Sequence, residues 1–170
     1  GLMAGVTQSL AGRVGMTRLL PLALCELHTD HKTSSPLNLI EHLWRGGYPA
    51  LWQSRPAALE ANDWFGSYIA SYVERDVRQL LQVQNLSIFQ RFVRLCAART
   101  GTLLNLVALA SDAGISHTTA RQWLSVLQSS ELVLLLQPYH RNFGKRLVKT
   151  PKLYFTDTGL AAWLLGIRDP

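Results

Sequence analysis

Apolar and polar positions fall into a regular rhythm in the second half of the chain. From Ser87, the stretch SIFQRFVRLCAART repeats apolar residues at Ile88, Phe92, Leu95 and Cys96, then stops at Gly101; this is helical spacing. NLVALASDAG follows as a short second helix, with Asn105 placed to cap its start and Gly114 its end. Ser116 is placed to cap a third helix, whose inward stripe is Ala120, Trp123, Leu124 and Leu127. ELVLLLQPYHRNFGKRLVKTPKLYFTD then reads as two strands joined by a basic, glycine-containing loop. Three helices followed by a β-hairpin is the winged-helix arrangement. TGLAAWLLGI adds one more apolar helix.

The first half is less regular. Residues 1–27 read as a short helix or loop and then, from Thr17, an apolar strand, TRLLPLALCEL. A strand so rich in leucine requires burial on both faces, and the chain supplies few neighbours to bury it. HTDHKTSSPLN is a polar, proline-containing linker. LIEHLWRGGYPALWQS gives a helix ended by Gly46 and Gly47, with Tyr48 and Pro49 opening a new turn. Farther on, Trp64, Tyr68 and Tyr72 and, offset, Ile69, Val73, Val77 and Leu80 form a helical stripe, with Arg75, Asp76 and Arg78 on its wetter side. The expected fold is mainly α with a small β-hairpin: a helical linker plus a winged helix-turn-helix module. The divisions expected are a leading segment 1–35, a helical connecting region 36–84, the winged helix-turn-helix 85–157 and a last helix from 158 to 170.

Composition narrows the class. A hydrophobic share of 48% with 16% charged residues belongs to a globular chain and excludes a disordered one. No apolar run reaches the roughly 18–20 residues of a membrane span, and the N-terminus lacks the pattern of a signal peptide. The chain opens without Met on GLMAGVTQSLAGRVG, which reads as an interior segment of something larger. Cys25 and Cys96 lie far apart in apolar runs, which fits a reduced, cytoplasmic compartment better than a disulfide framework. The net charge of +6, from 17 Lys and Arg against 11 Asp and Glu, favours anionic partners.

The charge matters most on the third helix and the loop after it. Were that helix to lie in a major groove, its outward residues near the start would be His117, Thr118, Arg121 and Gln122. Arg can pair bidentately with guanine and Gln with adenine. The loop HRNFGKRLVKTPK holds Arg141, Lys145, Arg146, Lys149 and Lys152 with no acidic residue. Such a wing suits phosphate contact, although a solvated hairpin tip has the same composition. Tyr139 and Phe143 have the chemistry to stack on bases, but hairpin packing is the commoner fate of such aromatics.

Candidates for catalysis are few. His28 and His31 flank Asp30, yet no second ligand pair follows, so no metal centre is expected. Glu74 and Asp76 are two apart on a helix and point to different faces. There is no Gly-x-Ser-x-Gly elbow and no GxxxxGK[ST] phosphate loop. The chain by itself is expected to be non-enzymatic and to hold no cofactor.

Five short stretches, in order, resemble one family: bacterial and archaeal AAA-type ATPases with a C-terminal domain of unknown function. They are SLAGR (9–13) with LLPLALCEL, RGGYP (45–49), YIASYVERDV (68–77), the helix-turn-helix at 106–127, and KLYFTDTGLAAWLLG (152–166). The resemblance implies that 1–35 is the tail of an ATPase core whose Walker motifs lie upstream. It also implies that 158–170 starts a nuclease-like domain whose carboxylates lie downstream. ATP and Mg would then belong to the full-length relative alone. Arg13 would face its nucleotide site, as an arginine finger, a sensor or a structural residue. Ala23 stands where the family usually has Ser.

Two functions follow from different classes. In the first, the winged helix binds nucleic acid, with double-stranded DNA as partner, or regulates the ATPase. In the second, it is a protein–protein adaptor coupling the ATPase core to the C-terminal domain without DNA contact. Homo-oligomerisation is compatible with both, and neither calls for a membrane.

Overall fold

Capping residues and apolar stripes decide where the helices of the second half begin and which way they face. In the computed structural model, which describes residues 17, 19–27, 36–52, 61–73, 86–139 and 149–170, the chain is mainly α-helical with a small antiparallel sheet. The elements are α1 (Leu24–Leu27), α2 (Pro36–Arg45), α3 (Ala61–Tyr68), α4 (Leu86–Ala98), α5 (Leu106–Ala113), α6 (His117–Ser129), β1 (Val133–Leu136), β2 (Lys152–Phe155) and α7 (Thr158–Leu164). A 3-10 turn at Pro49–Leu51 follows α2, and α3 runs on into a π-helical turn at Ile69–Val73.

The cap of α5 is made by Asn105, whose side chain accepts the Ala108 N–H at 3.0 Å, and Gly114 ends the helix at φ +75°. Ser116 caps α6 by accepting the Thr119 N–H at 3.0 Å. Ala120, Trp123, Leu124 and Leu127 are all buried, as their spacing predicts. On α4 the buried face is Phe89, Phe92, Val93, Cys96 and Ala97. Ile88 and Leu95 of the expected stripe are only half-buried on its flank, so the helix is turned slightly towards the phenylalanines. Phe89 and Phe92 meet the Trp123 indole edge-on, with centroids 5.2 and 5.4 Å away, and this joins α4 to α6.

After α6 the backbone turns through Glu131 at φ 60° into the sheet. Val133 pairs with Phe155, Leu134 with Tyr154, Leu135 with Leu153 and Leu136 with Lys152. Residue Leu103, ahead of α5, bridges Lys152 from the other side, so β2 runs between β1 and this segment. Val133, Leu153 and Phe155 enter the core. The core is continuous from Leu51 and Phe65 through α4, α5, α6 and the sheet to Leu160 and Leu164 of α7. Helix α7 packs on α2, α3, α4 and β2.

The strand expected from Thr17 is not formed. Residues 19–23 are irregular and lead into the single turn α1. Pro21 has no N–H to donate to a ladder, and no strand runs beside the segment among the described residues. Its attachment includes the Leu22 N–H, which donates to the Gly47 carbonyl at 2.7 Å. The leucines are left wet: Leu19 is 87% and Leu20 59% exposed. On α3 the buried residues are Ala61, Phe65 and Ile69, while Trp64 and Tyr68 are half-buried. The rest of that expected helix, including Arg75, Asp76, Val77, Arg78 and Leu80, lies outside the described residues.

Candidate nucleic-acid interface

Burying Ala120, Trp123, Leu124 and Leu127 leaves the opposite side of α6 to solvent. His117, Thr118, Arg121, Gln122 and Ser125 are all exposed there. Positions 117, 118, 121, 122 and 125 lie three and four apart, so they share one surface near the start of the helix. The helix carries no carboxylate. The one carboxylate of α5, Asp112, is engaged by the guanidinium of Arg99. Among the described residues, Arg121 makes no ion pair. The face therefore presents one fixed cation and several donors and acceptors, with no nearby acid on these two helices to neutralise it.

The structure brings these four predicted residues together. It describes only part of the predicted wing: Lys149 and Lys152 are exposed on the approach to β2 and at its start. Arg141, Lys145, Arg146 and Phe143 lie outside the described residues, as does Arg13. Tyr139 is 84% exposed and is not part of the core. His28 and His31 also lie outside; His42 packs its ring against Trp52, with centroids 4.5 Å apart. Among the described residues, no group of three His, Cys, Asp or Glu side chains could hold a metal. The Cys96 thiol is buried in α4, and that burial pushes its pKa up to about 12, far from nucleophilic use.

One residue that sequence reasoning did not single out joins the start of α7 to the turn after α2. Asp157, in the FTDTG stretch, is 2% exposed. Its Oδ1 accepts the Leu160 N–H at 2.7 Å and so caps α7; its Oδ2 accepts the Gly47 N–H at 2.7 Å. A backbone hydrogen bond from Gly159 adds to these. Burial raises its pKa above the ordinary carboxylate value, and the three N–H donors oppose that rise. The glycines are required by closeness. A Cβ on Gly46, which has φ +75°, would lie 2.4 Å from Asp157 Oδ1, and one on Gly159 would lie 2.7 Å from the Arg45 carbonyl. With its oxygens taken by backbone donors, Asp157 is a structural clamp between α2 and α7. The signal for it was in the sequence: an Asp just before an apolar helix is an N-cap signature. Beside the clamp, Ile40, Leu43, Trp44, Ala162, Leu165 and Ile167 line an open apolar groove of about 370 Å³.

A family described as "Domain of unknown function (DUF8612)" matches residues 37–170, from α2 to the end of the chain. The chain belongs to this family. The DUF8612 match contains both halves of the clamp, Gly46–Gly47 and Asp157–Gly159, together with the whole of α6. Similar proteins are the uncharacterized protein Rv2008c of Mycobacterium tuberculosis and the uncharacterized protein Mb2031c of Mycobacterium bovis. Each is 33% identical over 164 residues, covering 96% of this chain and 35% of the relative. The chain thus spans about a third of the length of these relatives. No solved structure matches it. Among the described residues, no helix is long and apolar enough to cross a membrane.

Proposed function

We propose that this DUF8612 domain binds double-stranded DNA as a winged-helix module, with α6 as the element that enters the groove. The supporting observation is the solvent face of α6, where His117, Thr118, Arg121 and Gln122 stand together without a carboxylate. Arg121 supplies either a guanine or a phosphate contact and Gln122 an adenine contact, while Thr118 and His117 reach the backbone beside them. The basic stretch of sequence ahead of β2 adds phosphate contacts through Arg141, Lys145, Arg146 and Lys149. Burial of the apolar stripe holds the recognition face rigid, so little ordering is needed on binding.

In the longer protein, the resemblance to AAA-type ATPases suggests a regulatory role: DNA held by the winged helix would be coupled to a nucleotide-driven core that carries ATP and Mg. The domain itself would contribute affinity and no chemistry. The test is fluorescence anisotropy of a labelled mixed-sequence duplex titrated with wild type and with Arg121→Ala plus Gln122→Ala. Both side chains are exposed, so the variant should fold as wild type by circular dichroism. Affinity should fall by about tenfold or more. Unchanged affinity in the folded double variant would remove α6 from the interface.

A further inference from the structure

The outer face of the small sheet has the wrong chemistry for DNA and also for plain solvent. Cross-strand register places Leu103, Lys152 and Leu136 in one row, and Tyr154 and Leu134 in the next. Residues directly opposite on adjacent strands point to the same side. Their partners in the alternation, Val133, Leu153 and Phe155, are buried, so this row and the next face outward. Leu103 is 62%, Leu136 52% and Leu134 42% exposed, and Tyr154 is half-buried beside them. Gly101, whose Cβ would stand 3.7 Å from the Tyr154 ring, adds no side chain over it. The result is an apolar surface with one ammonium at its centre. Among the described residues, Lys152 has no salt bridge.

We propose that this face docks an apolar protein segment that carries a carboxylate, the carboxylate meeting Lys152 and apolar side chains covering Leu103, Leu134 and Leu136. Charge selects this occupant. A second copy of the chain stacked face to face with the two-fold axis at Lys152, the centre of the face, would bring that ammonium against its own equivalent, two like charges in an apolar contact. DNA phosphates would meet Lys152 but leave three leucines without a partner. An acidic, apolar segment satisfies both the ammonium and the leucines. The inward sides of α6 and of the sheet share the core, so this surface and the α6 face are different parts of the molecule.

The probe is a fluorescein-labelled synthetic peptide alternating Leu with Glu, compared with the same peptide carrying Lys in place of Glu. The intact chain should bind the Leu–Glu peptide and discriminate against the Leu–Lys one. Lys152→Glu should weaken the first by about tenfold or more and strengthen the second, since like charges across a contact repel. Leu136→Asp should abolish binding of the Leu–Glu peptide, and Arg121→Ala should leave it unchanged. These side chains are exposed, so folding is checked simply by circular dichroism. No binding, equal binding of both peptides to wild type and Lys152→Glu, or loss on Arg121→Ala would overturn the proposal. So would a dimer in sedimentation velocity that dissolves in Leu136→Asp. The DNA reading stands or falls separately, on the duplex titration.

Discussion

Asp157 is a buried carboxylate held by N–H groups, with Gly47 on one side and the first turn of α7 on the other. The glycines around it have unequal burdens, and that can be measured. Gly114 sits at φ +75° with nothing within 4 Å of the place a Cβ would take, so Gly114→Ala should cost only the left-handed strain, about 1–2 kcal/mol. Gly46 has the same φ but would place its Cβ against Asp157. Gly46→Ala should cost about 1–3 kcal/mol more, because the carboxylate must leave its donors. Urea unfolding of the two variants reads the difference, and equal costs would refute the clamp. Asp157 also predicts a pH effect. Its folded pKa is raised above the ordinary 3.8, so between the two values the folded chain binds more protons than the unfolded one. The contribution of the protonated group is fully present below pH 3.8 and is lost as pH rises through the folded pKa. The stability of wild type relative to Asp157→Asn should therefore fall over that window; a constant or rising difference would contradict it. At this scale, RGGYP and YFTDTGL stood out in the sequence as separate stretches. Nothing local reveals that Gly47 and Asp157 meet, because the pairing spans 110 positions.

Among the elements, α5 and α6 were the most legible. Asn105, Gly114 and Ser116 act locally, through hydrogen bonds to residues three or four away, so sequence alone locates them. The inward stripe of α6 was equally clear because one strong period serves one core. Trp123 is its largest member and carries the contact with Phe89 and Phe92. Trp123→Ala should cost about 3–5 kcal/mol in urea unfolding, while Arg121→Ala on the other face should change stability by under about 0.5 kcal/mol. A similar cost for both would mean that α6 does not have the two faces assigned to it. Other elements were less legible for physical reasons. On α3 the aromatic stripe drew attention to Trp64 and Tyr68, but these stack on each other at 5.0 Å at the edge of the core, and Phe65 takes the interior. The apolar segment from Thr17 has strand composition, yet a strand is made by its neighbour, which composition does not supply.

At the scale of the whole molecule, a basic surplus of +6 goes with one apolar core among the described residues and two outward faces of different chemistry. The polar face of α6 suits nucleic acid; the leucine-rich outer face of the sheet suits protein. Binding of DNA by α6 is tested first by the salt dependence of binding to a generic duplex, read by anisotropy. If α6 and the basic stretch of sequence ahead of β2 lie on phosphates, the logarithm of affinity will fall linearly with the logarithm of salt concentration. Arg121→Ala will reduce the slope by about one if that side chain meets a phosphate, or lower affinity at unchanged slope if it meets a base. Folded protein that fails to bind at low salt, or binds with no salt dependence, would rule out phosphate contact by α6.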